Sequence, residues 1–270
     1  MNNRYFIALI GLLMLLSCTE TSNPPQKVYY NAFSHNDYHR EHPLTDALDC
    51  GFNCVEADLW LIDGELFVAH DKEDIRPERT FERMYLEPLS KLITQNKGKV
   101  YPQSNRPFML MVDCKSSGEE MLPVLKQKME PYRKYFCEVK DGQMHEGAIL
   151  FFLSGNRPVD TILQAGEGFI FLDGRIKDLG KGIDSNMMPV ISDNYDNFLT
   201  WKGEGEMPQE QMDKMRSYIR QAHEEGKLFR WWGAPDIPLF KRLFIDEGVD
   251  LIGADDLKSM LTVLEQEQEK

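Results

Sequence analysis

From residue 28 onward, short apolar runs alternate with longer amphipathic stretches. The runs are rich in aromatic and branched residues, and we predict strands at Val28–His35, Asn53–Ile62, Phe108–Lys115, Ala148–Ser154, Phe169–Asp173, Met188–Asp193, Leu228–Trp232 and Asp250–Asp255. Between them the pattern predicts helices at Leu44–Asp49, Phe81–Gln95, Glu119–Phe136, Val159–Ala165, Gln209–Glu225, Ile237–Glu247 and from Leu257 onward. Strands that alternate with helices favour a single α/β domain.

Eight strand–helix units in about 240 residues match the (β/α)₈ or TIM barrel, whose typical size is about 250 residues. A doubly wound open sheet is the alternative. The barrel is favoured because nearly every predicted strand ends in a polar residue, and the carboxyl ends of barrel strands form the catalytic face. These strand-end residues are His35, Asp58, Lys115, Ser154, Asp173, Asp193 and Asp255. We therefore predict one TIM-barrel domain over residues 28–270.

Composition supports a folded domain and narrows its partners. The 270-residue chain is 42% hydrophobic and 28% charged, which argues against disordered, collagen-like and multispan membrane proteins. Acidic residues outnumber basic ones by 44 to 31, giving a net charge of −13, so nucleic acids and anionic membrane surfaces would repel the chain. We expect no nucleic-acid partner, and nothing in the sequence indicates a protein partner.

The N-terminus resembles a bacterial lipoprotein signal peptide. An apolar run at residues 5–16 closely precedes Cys18, and its 12 residues are too few for a transmembrane helix but suit a signal sequence. We predict a signal peptide at residues 1–17, lipidation of Cys18 and a flexible tether at residues 18–27. The protein would then be lipid-anchored in a bacterial cell envelope, facing the periplasm or the exterior. A buried N-terminal helix is the alternative.

Four further cysteines lie in the predicted barrel, and their spacing matches no zinc site built from recurring C-x-x-C pairs. Disulfides are permitted outside the cytoplasm, but we favour small apolar core residues over two bridges. These cysteines are Cys50, Cys54, Cys114 and Cys137.

Two strands carry closely spaced charges at their carboxyl ends. Glu56 and Asp58 lie at i and i+2, so both face the barrel interior, where like charges are costly unless a cation compensates them. A divalent metal ion is the simplest compensation. Asp113 and Lys115 repeat the spacing on the third strand, which makes Asp113 a third candidate ligand and Lys115 a candidate contact for an anionic substrate oxygen. The alternative is an internal Asp–Lys ion pair without a catalytic role.

Two histidines complete the candidate site. His35 ends the first strand, and His70 follows a predicted tight reversal at Asp63-Gly64 that returns it toward Glu56 and Asp58. Because histidine titrates near neutrality, two histidines beside a metal-bound phosphoryl group can share proton removal and donation.

These motifs, in this order, resemble the PLC-like phosphodiesterase superfamily, which includes glycerophosphodiester phosphodiesterases and phosphatidylinositol-specific phospholipases C. The motifs that carry the resemblance are His35-Asn36, Glu56-x-Asp58, His70, Asp113-x-Lys115 and Gly248-Val249-Asp250 with Asp255-Asp256. They span nearly all of residues 28–257. The start, His35-Asn36-Asp37-Tyr38, is most similar to the altered inheritance of mitochondria protein 6 group.

The resemblance implies a metal site, but one residue of the first motif departs from the glycerophosphodiesterase pattern. Glycerophosphodiesterases usually have an arginine after the first histidine to grip phosphate, whereas this chain has Asn36. Eukaryotic phosphoinositide phospholipases C carry His-Asn and place the asparagine oxygen on calcium. We therefore expect one divalent cation, Ca²⁺ or Mg²⁺, bound by Glu56, Asp58, Asp113 and Asn36, since an all-oxygen set suits these ions better than zinc.

Two residues of the seventh strand are further candidates for substrate binding. Trp232 falls where the family has an inward tryptophan and is expected to form an apolar wall of the pocket. Arg230 shares its face by alternation and either supplies the missing guanidinium or forms a salt bridge at the strand mouth. His39 and His42, in the loop after the first strand, are interpreted as solvated loop residues.

The leading hypothesis is a metal-dependent phosphodiesterase that acts on a glycerophosphodiester or a phospholipid-headgroup substrate. His35 and His70 would divide the acid and base work, and the reaction would pass through a cyclic phosphate formed by a neighbouring substrate hydroxyl. The alternative is a catalytically silent barrel that binds a lipid headgroup or sugar phosphate. A glycoside hydrolase fits less well, because its carboxylates usually come from different strands.

Overall fold

The computed structural model describes residue 25 and residues 27–267. Its strands, in chain order, are β1 (Tyr29–Ser34), β2 (Phe52–Ile62), β3 (Glu65–Val68), β4 (Phe108–Cys114), β5 (Glu138–Lys140), β6 (Gln143–His145), β7 (Ile149–Gly155), β8 (Phe171–Gly174), β9 (Val190–Asn194), β10 (Leu228–Trp232) and β11 (Leu251–Ala254). All eight predicted strands are therefore present, with bounds that differ by a few residues.

Eight of these strands, all except β3, β5 and β6, close into a parallel barrel. Their order around it is β1-β11-β10-β9-β8-β7-β4-β2, and β2 pairs again with β1. The predicted TIM barrel is confirmed, and the open sheet is excluded because β1 and β2 close the ring. The other three strands are short: β3 pairs antiparallel with β2, and β5 forms a separate hairpin with β6.

Eight α-helices surround the barrel in the described part of the chain. They are α1 (Thr45–Asp49), α2 (Glu87–Gln95), α3 (Gly118–Met129), α4 (Val159–Ala165), α5 (Tyr195–Phe198), α6 (Gln209–Glu224), α7 (Pro238–Asp246) and α8 (Leu257–Gln266). The helix predicted at Phe81–Gln95 begins as a π-helical segment, Glu82–Leu86. The one predicted at Glu119–Phe136 divides into α3 and a 3₁₀ segment, Glu130–Tyr135, because Pro131 has no N–H to continue the α-helical ladder.

Apolar side chains fill the space between the barrel and its helices. The four barrel cysteines are free; Cys54, Cys114 and Cys137 are buried and Cys50 is half-buried, as predicted for core residues. No described helix has the length and apolar character needed to span a membrane. The predicted signal peptide and Cys18 lie outside the described residues, so the lipid anchor stays a prediction.

Candidate active site

Asp58 is the centre of a hydrogen-bond network at the carboxyl end of the barrel. It is 1% exposed, and its Oδ2 accepts from the Tyr38 hydroxyl at 2.7 Å, from Lys115 Nζ at 2.9 Å and from His70 Nδ1 at 3.0 Å. Its Oδ1 is buried and has no hydrogen-bond partner. One oxygen of this carboxylate is thus fully engaged, while the other is left for a further cation or donor.

Lys115 joins the second and third motifs. In the barrel register Asp58 lies beside Asp113, and Lys115 Nζ contacts both, at 2.9 and 2.6 Å. Burial works to lower the pKa of Lys115, but the two carboxylates outweigh it and raise the pKa above its usual value. The internal ion pair considered from the sequence is therefore present, and Lys115 reaches a substrate only from within it.

A glycine at the end of β7 allows this strand to lie close to the Asp113 carboxylate. Gly155, at the end of β7, has a φ of 64°, and a Cβ there would lie 2.4 Å from Asp113 Oδ1. Only glycine fits both the left-handed backbone and this close approach.

His70 reaches the site through the predicted reversal after β2. The Ala69 N–H donates to the Asp58 carbonyl at 3.2 Å, and the Trp60 indole donates to the His70 carbonyl at 3.3 Å. Because Nδ1 faces the Asp58 carboxylate, we assign the neutral ring its proton there, which leaves the Nε2 lone pair to act as a base. The side chain is 48% exposed, so solvent or substrate has access to it.

His35 is held by carboxylates on the other side of the Glu56–Asp58 pair. Its Nδ1 lies 2.8 Å from Asp255 Oδ1 and its Nε2 lies 3.6 Å from Glu56 Oε2. Burial alone would lower the pKa of His35, but the hydrogen bond to Asp255 and the charge of Glu56 raise it above the ordinary value. The Arg40 guanidinium donates to the His35 and Ala254 carbonyls at 3.0 Å each, which fixes the ends of β1 and β11 together.

Asn36 and Tyr38 connect the two histidines. Asn36 has a φ of 48°, a left-handed conformation that asparagine tolerates, and its N–H donates to Glu56 Oε2 at 3.1 Å. Its amide nitrogen lies 3.2 Å from His35 Nδ1, and its oxygen lies 2.8 Å from the Tyr38 hydroxyl oxygen. The Tyr38 hydroxyl is also 3.1 Å from His70 Nδ1.

Sequence reasoning gave no role to Tyr38 or Asp255, although both stand in quoted motifs. Burial and the Asp58 charge raise the pKa of Tyr38, so the hydroxyl keeps its proton. Asp37, which precedes Tyr38 in the first motif, has a structural role. It is fully buried and accepts hydrogen bonds from Ser34 Oγ at 2.8 Å and from the Tyr85 hydroxyl at 3.0 Å. The sequence feature that could have indicated a role for Tyr38 is its position in the first motif, two residues after Asn36.

The residues predicted to bind metal offer suitable oxygen donors, but their side chains do not converge on one point. Burial raises the pKa of the Glu56 carboxyl, with His35 and Arg230 opposing the shift. Within residues 27–267, no three histidine, cysteine or acidic side chains converge as metal ligands, and Lys115 already compensates Asp58 and Asp113. The unpartnered Asp58 Oδ1, beside buried Glu56, is the feature that fits a hard divalent cation.

Arg230 and Trp232 lie on the same side of the mouth as His35. The Arg230 guanidinium is buried inside the barrel, 4.4 Å from the Phe33 ring centroid and 3.6 Å from Met111 Sδ, and its Nε has no partner. Trp232 lines a cavity of about 200 Å³ together with His35 and Arg230. The salt bridge considered for Arg230 is not found among the described residues.

The loop histidines differ in position. The His39 ring lies 6.2 Å from that of His70, so it borders the site. His42 is exposed and contacts Asp46 at 3.3 Å, away from the cluster.

Comparison with known families adds to this geometry. The AIM6-like phosphodiesterase domain matches residues 26–173, more than half of the chain. The chain belongs to the AIM6-like phosphodiesterase domain family. The matched region runs from β1 into β8 and carries both histidines, the three acidic residues, Asn36 and Lys115, whereas Arg230 and Trp232 lie beyond it.

The chain is similar over most of its length to proteins of fungi. The altered inheritance of mitochondria protein 6 homolog of Arthroderma benhamiae is 27% identical in an alignment of 255 positions that covers 84% of this chain and 81% of the relative. Altered inheritance of mitochondria protein 6 of Eremothecium gossypii is 26% identical, over 96% of this chain and 78% of the relative. These relatives give no support to the bacterial lipoprotein signal.

Solved structures confirm the barrel of the AIM6-like domain. A glycerophosphodiester phosphodiesterase from Parabacteroides distasonis superimposes with a TM-score of 0.51 at 13% identity, over 91% of this chain and 100% of that one. One from Agrobacterium tumefaciens gives 0.50 at 12% identity, over 88% and 100%. At these identities the likeness concerns the fold alone.

Proposed function

We propose that this AIM6-like domain is a metal-dependent phosphoric diester hydrolase that acts on a glycerophosphodiester or a phospholipid-headgroup substrate. One observation carries the proposal: two histidines are each oriented by a carboxylate, and they lie at opposite ends of a buried acidic pair, His35 at Glu56 and His70 at Asp58. A binding site alone has no need for two oriented proton carriers.

A divalent cation, Ca²⁺ or Mg²⁺, would be held by Glu56, Asp58 and Asp113, with Asn36 as a fourth ligand. When bound, it would neutralise the phosphoryl oxygens and lower the pKa of a nearby hydroxyl. The buried carboxylates with one unpartnered oxygen support this assignment.

The histidines then divide the proton transfers. His70 accepts the proton of a substrate hydroxyl at Nε2 as that oxygen attacks phosphorus. The bond from phosphorus to the leaving oxygen breaks, and protonated His35, favoured by Asp255 and Glu56, donates a proton to that oxygen. The product is a cyclic phosphate, which water opens with the two roles reversed. Arg230 and Trp232 would line the subsite beside His35, and Lys115 would hold Asp58 in place.

The test is a screen of residues 19–270, which contain every described strand and helix. Phosphodiesters, phosphomonoesters and glycosides would be supplied with calcium, magnesium or a chelator. We expect metal-dependent cleavage of diesters alone, with a cyclic product visible by phosphorus NMR. Entry of solvent ¹⁸O in the first step, with no cyclic product and no need for an adjacent hydroxyl, would replace this mechanism by direct attack of water.

The second candidate is a catalytically silent barrel that binds a headgroup or sugar phosphate. Asn36, standing where an arginine usually grips phosphate, and the engagement of Lys115 by two carboxylates favour it. Saturable binding of a phosphodiester without turnover under any metal condition would support this reading.

We also propose that Cys18 is lipidated and anchors the protein in a cell envelope. The apolar run that ends just before Cys18 supports this. Cys18→Ala should release the protein or leave its signal uncut, and unchanged membrane fractionation and mass would refute the anchor.

A further inference from the structure

One aspartate in the loop after β10 binds a buried lysine and two backbone amides at the same time. Asp236 Oδ1 lies 2.8 Å from Lys241 Nζ. Its Oδ2 accepts hydrogen bonds from the N–H groups of Asp255 at 2.9 Å and of Asp256 at 3.3 Å. The Asp236 carboxylate therefore joins α7, which carries Lys241, to the segment that leads from β11 into α8.

The two amides belong to the segment that orients His35. Asp255 Oδ1 lies 2.8 Å from His35 Nδ1, although the Asp255 side chain is 57% exposed. An exposed side chain gains little from packing, and ordering it costs conformational entropy. The direction of this carboxylate therefore depends on how firmly the backbone of Asp255 is held.

That backbone is held from both sides. The Arg40 guanidinium donates to the carbonyl oxygens of Ala254 and Asp255, whereas the Asp236 carboxylate accepts from the amides of Asp255 and Asp256. Hydrogen bonds in which one partner is ionised are stronger than those between neutral groups. A charged side chain therefore fixes each side of the segment, a cation on its carbonyls and an anion on its amides.

Lys241 in turn keeps Asp236 in this position. The lysine side chain is 2% exposed, and its Nζ also donates to Ser259 Oγ, in the first turn of α8, at 3.1 Å. A buried ammonium is costly without a counter-charge, and the ion pair with Asp236 supplies one. The buried cation therefore holds the carboxylate between α7 and the two amides.

We propose that Asp236 is a positioning residue for His35: held by Lys241, it fixes the backbone of Asp255 so that the Asp255 carboxylate remains on His35 Nδ1. This rests on the proposed function, in which His35 donates the proton to the leaving oxygen. A displacement of about 1 Å at a reacting group can lower a rate by about 10²-fold, so a residue that acts through Asp255 alone can influence turnover.

The test compares two double variants that differ in whether position 236 offers a side-chain oxygen. Both carry Lys241→Met, so neither buries an unpaired ammonium. Asp236→Asn/Lys241→Met keeps one oxygen that can accept from the two amides, whereas Asp236→Ala/Lys241→Met has none. Hydrogen exchange of the Asp255 and Asp256 amides should be at least about tenfold faster in the alanine variant than in the asparagine variant.

The same two variants should differ at His35. At alkaline pH, where the ring is neutral, nitrogen NMR should report a smaller share of the Nδ1–H tautomer in the alanine variant, because Asp255 no longer fixes that proton. On the best diester, kcat should be about tenfold lower in the alanine variant and close to parental in the asparagine variant. If the Asp236–Lys241 pair only joined α7 to α8, both variants would behave alike, since both have lost it.

The matched control is Lys227→Met, at the amino end of β10. Lys227 is 1% exposed and lies 2.5 Å from Glu225, so this variant loses a buried ion pair and should keep parental exchange at Asp255, tautomer at His35 and kcat. Equal readings in the two double variants, or the alanine variant's changes in Lys227→Met, would overturn the proposal. Exchange and tautomer are measured without substrate, so a chain that cleaves no diester would refute the proposed hydrolase and leave these two readings to decide the role of Asp236.

Discussion

Two lysines of this barrel each bridge two carboxylates, yet their surroundings differ. Lys128 Nζ lies 2.8 Å from both Glu65 and Glu82, whose side chains are 33 and 29% exposed. Lys115 Nζ makes contacts of similar length with Asp58 and Asp113, but Asp58 is only 1% exposed. Both lysine side chains are 22% exposed, so the contrast lies in the carboxylates.

That contrast separates a structural clamp from a functional centre. Lys128 ties α3 to β3 and to the π-helical segment, and its carboxylates keep contact with water. Asp58 instead adds Tyr38 and His70 to its lysine and retains one buried, unpartnered oxygen. Nothing in packing alone rewards such an oxygen, which is why we place function at Lys115 and not at Lys128.

The largest expected effect concerns turnover. His35→Ala and His70→Ala should each lower kcat by about 10² to 10⁴, the range for a positioned proton carrier. His42→Ala and Lys128→Met, whose side chains pair with Asp46 and with Glu65 and Glu82 and not with the Asp58 network, should keep parental kcat. Steady-state kinetics on the best diester of the screen measures this, and a comparable loss in Lys128→Met would erase the distinction between the two lysines.

The second effect is on folding stability. Lys115→Met leaves Asp58 and Asp113 without their cation, and removing one partner of a buried pair costs about 3–5 kcal/mol. Lys128→Met should cost less than about 1 kcal/mol, as for exposed pairs. Urea unfolding in chelator measures both, and added calcium or magnesium should restore part of the loss only in Lys115→Met. Equal losses would contradict the comparison.

The third effect is on metal affinity. Glu56→Gln should weaken calcium or magnesium binding by about tenfold or more, because a hard cation loses a carboxylate ligand. Glu65→Gln, its counterpart at the Lys128 clamp, should bind as the parent does. Calorimetry decides, and undiminished affinity in Glu56→Gln would remove Glu56 from the ligand set.

The barrel was predictable because short, largely apolar runs alternate with amphipathic stretches, and the polar strand ends showed which face carries the site. The short strands β3, β5 and β6 were missed because three- or four-residue strands carry little periodic signal. Spacing also placed Glu56 and Asp58 on one face. It did not show that Lys115 would engage both Asp58 and Asp113, nor that Tyr38 would join Asn36, Asp58 and His70, since those contacts depend on how three separate segments meet.

Tyr38 provides the fourth test, with a smaller effect. Tyr38→Phe removes a hydrogen bond to a charged carboxylate and should lower kcat by about tenfold, in line with the 1.5–3 kcal/mol of such bonds. Tyr85→Phe, which loses a bond to structural Asp37, should lower stability without this loss in kcat. Because Tyr38 and His70 share Asp58 Oδ2 as acceptor, nitrogen NMR of His70 should report a larger share of the Nδ1–H tautomer in Tyr38→Phe, and an unchanged tautomer with parental kcat would make Tyr38 a packing residue.

The smallest effect is a pH dependence at the Lys128 clamp. Burial works to raise the pKa of Glu65, but hydrogen bonds from Lys128 and from the Leu66 N–H lower it below 4.5. A carboxyl whose folded pKa is depressed stabilises the fold fully above its unfolded pKa, and that share is lost as the pH falls through the folded value. Hydrogen bonds to Glu65 and Glu82 raise the pKa of Lys128, so its share is full below its ordinary value of 10.5 and is lost only as the pH rises through the higher folded value. Glu65→Gln should therefore lower stability near neutrality by a few tenths of a kcal/mol, the scale of an exposed pair, and reduce the fall in stability below pH 4.5 by the same amount. Urea midpoints measured from acid to neutral pH check this, and an acid limb identical to the parent's would mean that water, and not Lys128, sets the charge of Glu65.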